Sequence, residues 1–531
     1  MSTSSTPDDA QLAPGRAHYQ YTLLGQFDER ILSTVAARWV LAVLLGIALI
    51  VPSVQSVIKI QETKAAFARE GGERQRTALG RWLPTARLLA DPNNKEDPYG
   101  YGHWMPTSPM VLLSLVPLSM LGYAGAGAVW ATLKVGGFLV AMTFLIRSLG
   151  RNTFAVPVGV LLAAGLFSIR PIVSDLQHGN LNIFVVIWLA FAWGLYIRKR
   201  DFWAGIFVAL AIVTKLTPAL ALVYFVYQRA WRVCTGILVG CLLLFIVIPG
   251  LLIGFEQNQI YLESWFDTLV APFTLHGYGV LHITNQSLYG VGLRLLSNAG
   301  ILAVESMPTE DIMNTGMDNM ARPATDSGRL MRPILVLPVA LALAWFCRWR
   351  PATLFRRRQL MECVTALLVL ALASAFMWHA HLGRVATIFL VAVSALAMVS
   401  LVSLRFARSI PSRNDPRLLL EFGLVLIAML LLSERTWKHH ATTLPIIFLG
   451  VWYTLTCVRF SDKFRAWFVA GLIAQLLLLV GSTEALVTDR IADLLLDGGV
   501  FCWGLVLCFV QIGILLATLN RRQQANDAMM E

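Results

Sequence analysis

Apolar residues in this chain fall in long runs separated by short polar breaks. The first run lies near Trp39 to Ile58. Others follow at about 109–122, 125–146, 153–169, 180–197, 202–214, 217–228, 231–253, 333–347, 361–377, 384–403, 417–433, 441–458, 466–482 and 498–518. The longer runs reach the roughly 20 residues that a helix needs to cross a hydrocarbon core. Several are shorter, and these predict tilted, paired or re-entrant helices around a cavity. Two long polar stretches interrupt the series, 59–108 and 254–332. The pattern predicts an all-α polytopic membrane protein. A tail over 1–36 precedes a transmembrane domain over 37–520, and a second tail covers 521–531.

Composition agrees. The chain has 531 residues, 57% of them hydrophobic and only 14% charged, where a soluble protein carries about a quarter charged residues. The net charge of +12 would suit nucleic acid, but the Arg and Lys residues sit in short clusters between apolar runs, so the charge reads as topology. The N-terminal MSTSSTPDDAQLAPGRAHYQ is polar with mixed charge and lacks the build of a cleaved signal. The first run is therefore read as a permanent span. All seven cysteines lie in or beside apolar runs, which argues against a disulfide framework or a cysteine metal site.

Charge also sets an expected sidedness. One alternation of segments places loops 147–151, 198–201, 228–232, 347–360, 404–417 and 458–465 in the cytoplasm, with 19 Arg and Lys against three acids. The loops left outside are acidic or mixed: 254–332 has eight acids against four bases, and 483–497 has four against one. This alternation needs 109–122 to be re-entrant or interfacial and 202–228 to be a pair folding back at Lys215. Both termini are then cytoplasmic. Every polar motif falls on the extracytoplasmic side, which points to one site there.

Those motifs carry the candidate chemistry. The loop over 59–108 holds several acids and the aromatics Trp82, Tyr99, Tyr101 and Trp104, which suit either sugar stacking or anchoring at the membrane surface. In DLQHGN, Gln177 and Asn180, with Asn182 just beyond, suit hydrogen bonds to a polyhydroxylated substrate; helix capping is the plainer use. Lys215, where an apolar segment breaks before Pro218, suits a phosphate as a point charge or snorkels to the headgroups. Asn285 and Gln286 in HITNQS suit sugar contacts. WHAHLGR supplies His379, His381 and Arg384. SERTWKHH supplies Trp437, Lys438, His439 and His440, a cluster of ionisable groups at a membrane boundary that marks a functional site by default. No acid has ligand spacing to either histidine pair, so no metal site is expected, and the histidines suit phosphate binding and proton transfer.

In order, these motifs resemble glycosyltransferase family 87, polytopic enzymes of the GT-C class. Asp97-Pro98-Tyr99 is similar to that family's D-P-Y turn, and Trp104-Met105-Pro106 loosely to its Y-P-P-like turn into the next helix. Gln177, Gly179 and Asn180 resemble its Q-x-N element, Lys215 and Pro218 its K-x-x-P element, and Asn285-Gln286-Ser287 its N-Q-S element. Ser433, Trp437, His439 and His440 resemble its S-P-x-S-W-x-H-H element, with Glu434 where proline is usual. The family's early aspartate, in D-x-x-x-Y-x-x-A, has no counterpart: aligned on Ala86, Leu79 or Ala78 stands there.

The resemblance implies a GT-C-type helical bundle with two long extracytoplasmic loops. It also implies transfer of a sugar, typically mannose, from a polyprenyl-phosphate donor to a lipid or glycan acceptor, at the cell membrane and with no cofactor. Such transfer needs a carboxylate to take the acceptor proton and cations to meet the departing phosphate. Glu73 is the expected base and Asp97 the second choice. Lys215, Arg384, His439 and His440 are expected around the phosphate, and Gln177, Asn180, Asn285 and Gln286 around the sugar. The other readings are a lipid-linked glycan ligase or polymerase, a lipid flippase or transporter, and an inactive relative.

Overall fold

The computed structural model describes residues 30–31, 34–70, 77–90, 96–100, 106–149, 156–307, 319–325, 328, 331–346, 413, 415–483 and 486–530. Nearly all of this is helix: α1 Val35–Glu70, α2 Ala78–Ala90, α3 Pro109–Ser119, α4 Gly122–Leu149, α5 Val158–His178, α6 Asn182–Ile197, α7 Asp201–Thr214, α8 Leu220–Tyr227, α9 Trp231–Leu242, α10 Ile248–Ile253, α11 Phe255–Leu269, α12 Ala271–Thr274, α13 Leu288–Asn298, α14 Met331–Phe346, α15 Pro416–Leu432, α16 Leu444–Cys457, α17 Asp462–Val480, α18 Asp489–Asp497 and α19 Val500–Met530. Among the described residues, six stretches are long and apolar enough to cross a membrane: Val35–Gln61, Gly122–Leu149, Val158–His178, Trp231–Ile253, Asp462–Val480 and Val500–Arg522. The protein is an all-α multi-pass membrane protein. The expected runs 361–377 and 384–403 lie outside the described residues, as do the first 29 residues.

The short helices are short for visible reasons. α3 starts on Pro109, whose fixed φ suits a first helical position. Its 11 residues rise only about 16 Å, roughly half the hydrocarbon core. α7 stops at Thr214 because Lys215 is extended (φ −158°, ψ 132°), and the chain re-enters helix through a 3₁₀ turn at Thr217–Ala219 containing Pro218. α7 is set by glycine contact with α9: a Cβ on Gly205 would stand 2.1 Å from the Val233 carbonyl, and one on Gly236 would stand 2.1 Å from that of Phe202. Only glycine at both places lets the two backbones approach so closely.

Two apolar cores result. The larger joins α4 to α9 with α15, α16, α17 and α19, through residues such as Ile187, Trp193, Phe225, Phe422, Phe448 and Phe501. The smaller packs α2 under α3 and α11, through Leu79, Trp82, Leu83, Leu112, Leu115 and Trp265. The polar stretch 254–332 also contains three very short strands, β1 Gly279–Val280, β2 Val304–Ser306 and β3 Met320–Pro323, with β3 central and both pairings antiparallel.

Candidate active site

Four elements meet at one end of the larger core, and a buried charge ties them together. α5 closes at Gly179 in the left-handed region (φ 64°), with its N–H on the Asp175 and Leu176 carbonyls. The chain thus turns sharply into α6 and leaves Asp175 facing the new helix. Asp175 is fully buried and pairs with Lys134 of α4 at 2.7 Å. Its other oxygen accepts from the Asn182 amide side chain at 2.9 Å and from the Asn182 backbone N–H at 3.2 Å. The Asn182 Oδ1 in turn accepts from Lys215 Nζ at 3.2 Å. A lysine in one apolar helix therefore fixes, through two side chains, the ammonium at the break after α7.

The second wall is the segment from Ser433 to Thr443, which leaves α15 extended at Ser433 and ends in a 3₁₀ turn over Lys438–Thr443. Asn285 and Gln286 hold it in place. The Asn285 Nδ2 donates to the Val280 and Glu434 carbonyls, and its Oδ1 accepts from the Ser287 and Thr436 N–H groups. The Gln286 N–H donates to the Thr436 carbonyl at 2.6 Å, its Nε2 to the Ile283 and Leu496 carbonyls, and its Oε1 accepts from the Cys502 N–H. Both side chains are completely buried. Every side-chain polar atom of the pair is used inside the protein, so their place in this structure is that of a clamp. Asn285→Ala is expected to cost about 1–3 kcal/mol through the buried groups it strands, seen as a lower melting temperature. A residue that touched only substrate would lower transfer and leave melting unchanged.

Two of the cavities between the walls share lining residues. An inner chamber of about 110 Å³ is lined by Asn180, Asn182, Lys215, Glu434, Arg435 and His440, with Trp82, Thr107, Trp265, Leu269 and Phe273 among its other walls. A vestibule of about 970 Å³ shares Trp82, Asn180, Leu269, Arg435 and His440 with it and adds Arg81, Arg170, Gln177, His178, His282, Trp437, Lys438, His439 and Asp493. Cations outnumber acids here. Burial, then the nearby charge of Arg435, weighs against the Arg81 guanidinium, and burial does the same to Arg435, offset in part by Glu434. Several donors are buried on these walls without a hydrogen-bond partner among the described residues: Arg81 Nε, the indole N–H groups of Trp82, Trp265 and Trp437, and the Thr107 hydroxyl. Native proteins leave few such groups unpaired, and these five belong to residues that line the two cavities.

The surroundings of His439 and His440 favour the neutral imidazole. Burial first, then the charges of Lys215 and Arg435 and the other imidazoles, holds His439 and His440 well below the usual histidine range. The His440 Nδ1 lies 3.0 Å from the Arg435 carbonyl and 3.3 Å from the Trp437 N–H, so both contacts hold the ring against its own turn. The His439 Nε2 meets Asn180 Nδ2 at 3.1 Å, so Asn180 donates and His439 accepts. Its ring stacks on His178 with centroids 5.0 Å apart. Positive charge in the chambers comes from the arginines and from Lys215. Burial pushes the Lys215 ammonium down to about 7, although Glu434 favours its charge. The sequence had added the histidines as phosphate partners.

Of the residues expected from sequence, Gln177, Asn180, Lys215, Trp437, Lys438, His439 and His440 line these cavities. Within them Gln177 donates to Gln55 at 2.9 Å, Lys438 donates to the Ser482 carbonyl at 2.7 Å, and Trp437 lies under the Arg435 guanidinium at 4.9 Å. Asp97 lines neither cavity; it accepts from the Tyr99 N–H and from the Ser264 hydroxyl. Glu73 and Arg384 lie outside the described residues. Sequence reasoning named Trp82 for sugar stacking or membrane anchoring, missed Arg81 beside it on the amphipathic α2, and gave no role to Glu434. The signal for Glu434 was present, an acid where the resembled motif has proline.

The profile of glycosyltransferase family 87 matches residues 108–374, half of the chain. The chain belongs to that family. It is a membrane glycosyltransferase, and such an enzyme requires a sugar donor and an acceptor. The match covers Asn180, Lys215 and Asn285 and ends before the Ser433–Thr443 wall. No curated protein and no solved structure matches the chain.

Proposed function

We propose that this family 87 enzyme moves a sugar, mannose being the expected one, from a polyprenyl-phosphate donor to a hydroxyl of a lipid or glycan acceptor at the extracytoplasmic face. The observation that carries the reading is the inner chamber itself. It joins a fixed ammonium and a buried guanidinium to unpartnered donors and to an apolar wall of Leu181, Val213, Leu216, Leu269 and Val270. A phosphate with a prenyl tail fits both halves of that lining. Lys215 and Arg435 meet the phosphate as it departs, with Arg81 at the vestibule side; preorganised cations in a water-poor site act most strongly on charge that develops during reaction. In this reading Asn180, Asn182 and the His440 imidazole take the sugar hydroxyls, and Trp82 takes the sugar's apolar face. Gln177, Trp437, Lys438 and His439 shape the vestibule through which the acceptor enters. Asn285 and Gln286 act by holding the wall.

The test uses the purified full chain in lipid nanodiscs with radiolabelled polyprenyl-phosphate mannose and extracted membrane glycolipids. Labelled product is the expected result. Transfer from nucleotide sugars but from no lipid-phosphate sugar would overturn the donor assignment. The histidines add a pH expectation. Since their range is pushed below the ordinary value near 6.5, imidazole protonation should add no step of its own above about pH 6. The step expected is a fall in rate as pH rises through about 7, where Lys215 loses its proton. An inflection near the ordinary histidine value that vanishes in His440→Gln would show that His440 titrates normally.

A further inference from the structure

We infer that Glu434 is the general base of the transfer, the carboxylate that takes the proton of the acceptor hydroxyl. The inference rests on the functional reading above and assigns a role that the sequence placed elsewhere. Among the described residues, two acids line the cavities: Glu434 in the inner chamber and Asp493 in the vestibule. Asp493 is exposed on α18, an outer helix whose Leu494 is 72% exposed. Asp175 is nearby but spent, with one oxygen on Lys134 and the other on Asn182. Asp97 is spent on Tyr99 and Ser264, away from both spaces. Glu434 differs from all of these. Its backbone carbonyl accepts from the Asn285 Nδ2 at 3.3 Å and from the Ser287 hydroxyl at 3.4 Å, which ties the loop to the Asn285–Ser287 segment. Its side chain receives one long contact, from the Ser433 hydroxyl at 3.4 Å. It lines the chamber that Lys215, Arg435 and His440 also line.

The chemistry balances with the groups present. The acceptor oxygen forms a bond to the anomeric carbon while its proton passes to the Glu434 carboxylate. The bond from the anomeric carbon to the phosphate oxygen breaks, and the electron pair leaves with the polyprenyl phosphate, toward Lys215 and Arg435. The protonated Glu434 then returns its proton to water in the vestibule. Base and phosphate cations thus share one small chamber, as a transfer between two bound substrates requires.

The test compares wild type, Glu434→Gln and Glu434→Asp in the nanodisc assay, with separate kcat and donor KM. Glu434→Gln keeps size and hydrogen bonding, and its kcat is expected to fall at least about 100-fold with donor KM within about threefold. Glu434→Asp should keep more activity than the glutamine variant. A fluorinated acceptor with a more acidic hydroxyl should recover part of the glutamine variant's rate, because it gives up its proton more readily. A glutamine variant within about fivefold of wild type overturns the inference. So does a loss confined to donor KM, which would mark Glu434 as a counter-charge for Lys215 and Arg435. If the glutamine variant fails to fold, the aspartate variant with the acidic acceptor carries the same comparison. A wild type that uses no lipid-phosphate sugar removes the functional reading, and this role with it.

Discussion

Lys215→Met is expected to lower kcat/KM about 10²–10³-fold, the scale seen when one preorganised group facing developing charge is deleted. The ammonium is aimed by Asn182, which is itself held by the buried Asp175. It therefore loses little freedom when the donor binds. Methionine keeps the length and packing of the side chain, so melting should stay near wild type. Most of the loss should appear in kcat, since the phosphate gains charge as the bond to sugar breaks. Lys215→Arg should recover only part of the rate: a planar fork does not fit where a point charge sits between Asn182 and the chamber. Kinetics within about fivefold of wild type for the methionine variant would place the phosphate on Arg81 and Arg435 instead.

Much of this architecture was readable from the chain because a bilayer is a simple selector. Apolar runs become helices, and their ends fell within a few residues of the breaks marked by Pro109, Lys215, Asp415 and Ser461. The candidate polar residues were readable for the same reason, since ionisable groups beside apolar runs stand out. What each of them does was less readable. Asn285 and Gln286 look like sugar-binding amides, yet their partners are Thr436, Glu434, Leu496 and Cys502, far along the chain and invisible to any local pattern. Arg81 and Trp82 lie on an amphipathic helix inside a polar stretch, where both types are ordinary. The small sheet has strands of two to four residues, too short for an alternating pattern to register. The family resemblance directed attention to the first loop for a base, and so away from Glu434.

Lys134→Met is expected to cost about 3–5 kcal/mol, because it leaves the Asp175 carboxylate buried without its cation. Both side chains are essentially inaccessible, at 1% and 0% exposure, so solvent cannot compensate. The double variant Lys134→Met with Asp175→Leu should melt much closer to wild type, since replacing both charges with apolar groups of similar size removes the desolvation cost along with the attraction. Activity should part company with stability at that point. Asp175 also accepts from the backbone and side chain of Asn182, and without it nothing fixes the amide that aims Lys215. The double variant should therefore remain at least about tenfold below wild type in kcat/KM, a loss of roughly 1.4 kcal/mol of transition-state stabilisation. Melting curves and kinetics on the two single variants and the double variant separate the contributions as a double-mutant cycle. Full recovery of transfer along with melting would mean that the pair serves only the fold and that Lys215 is aimed by other means.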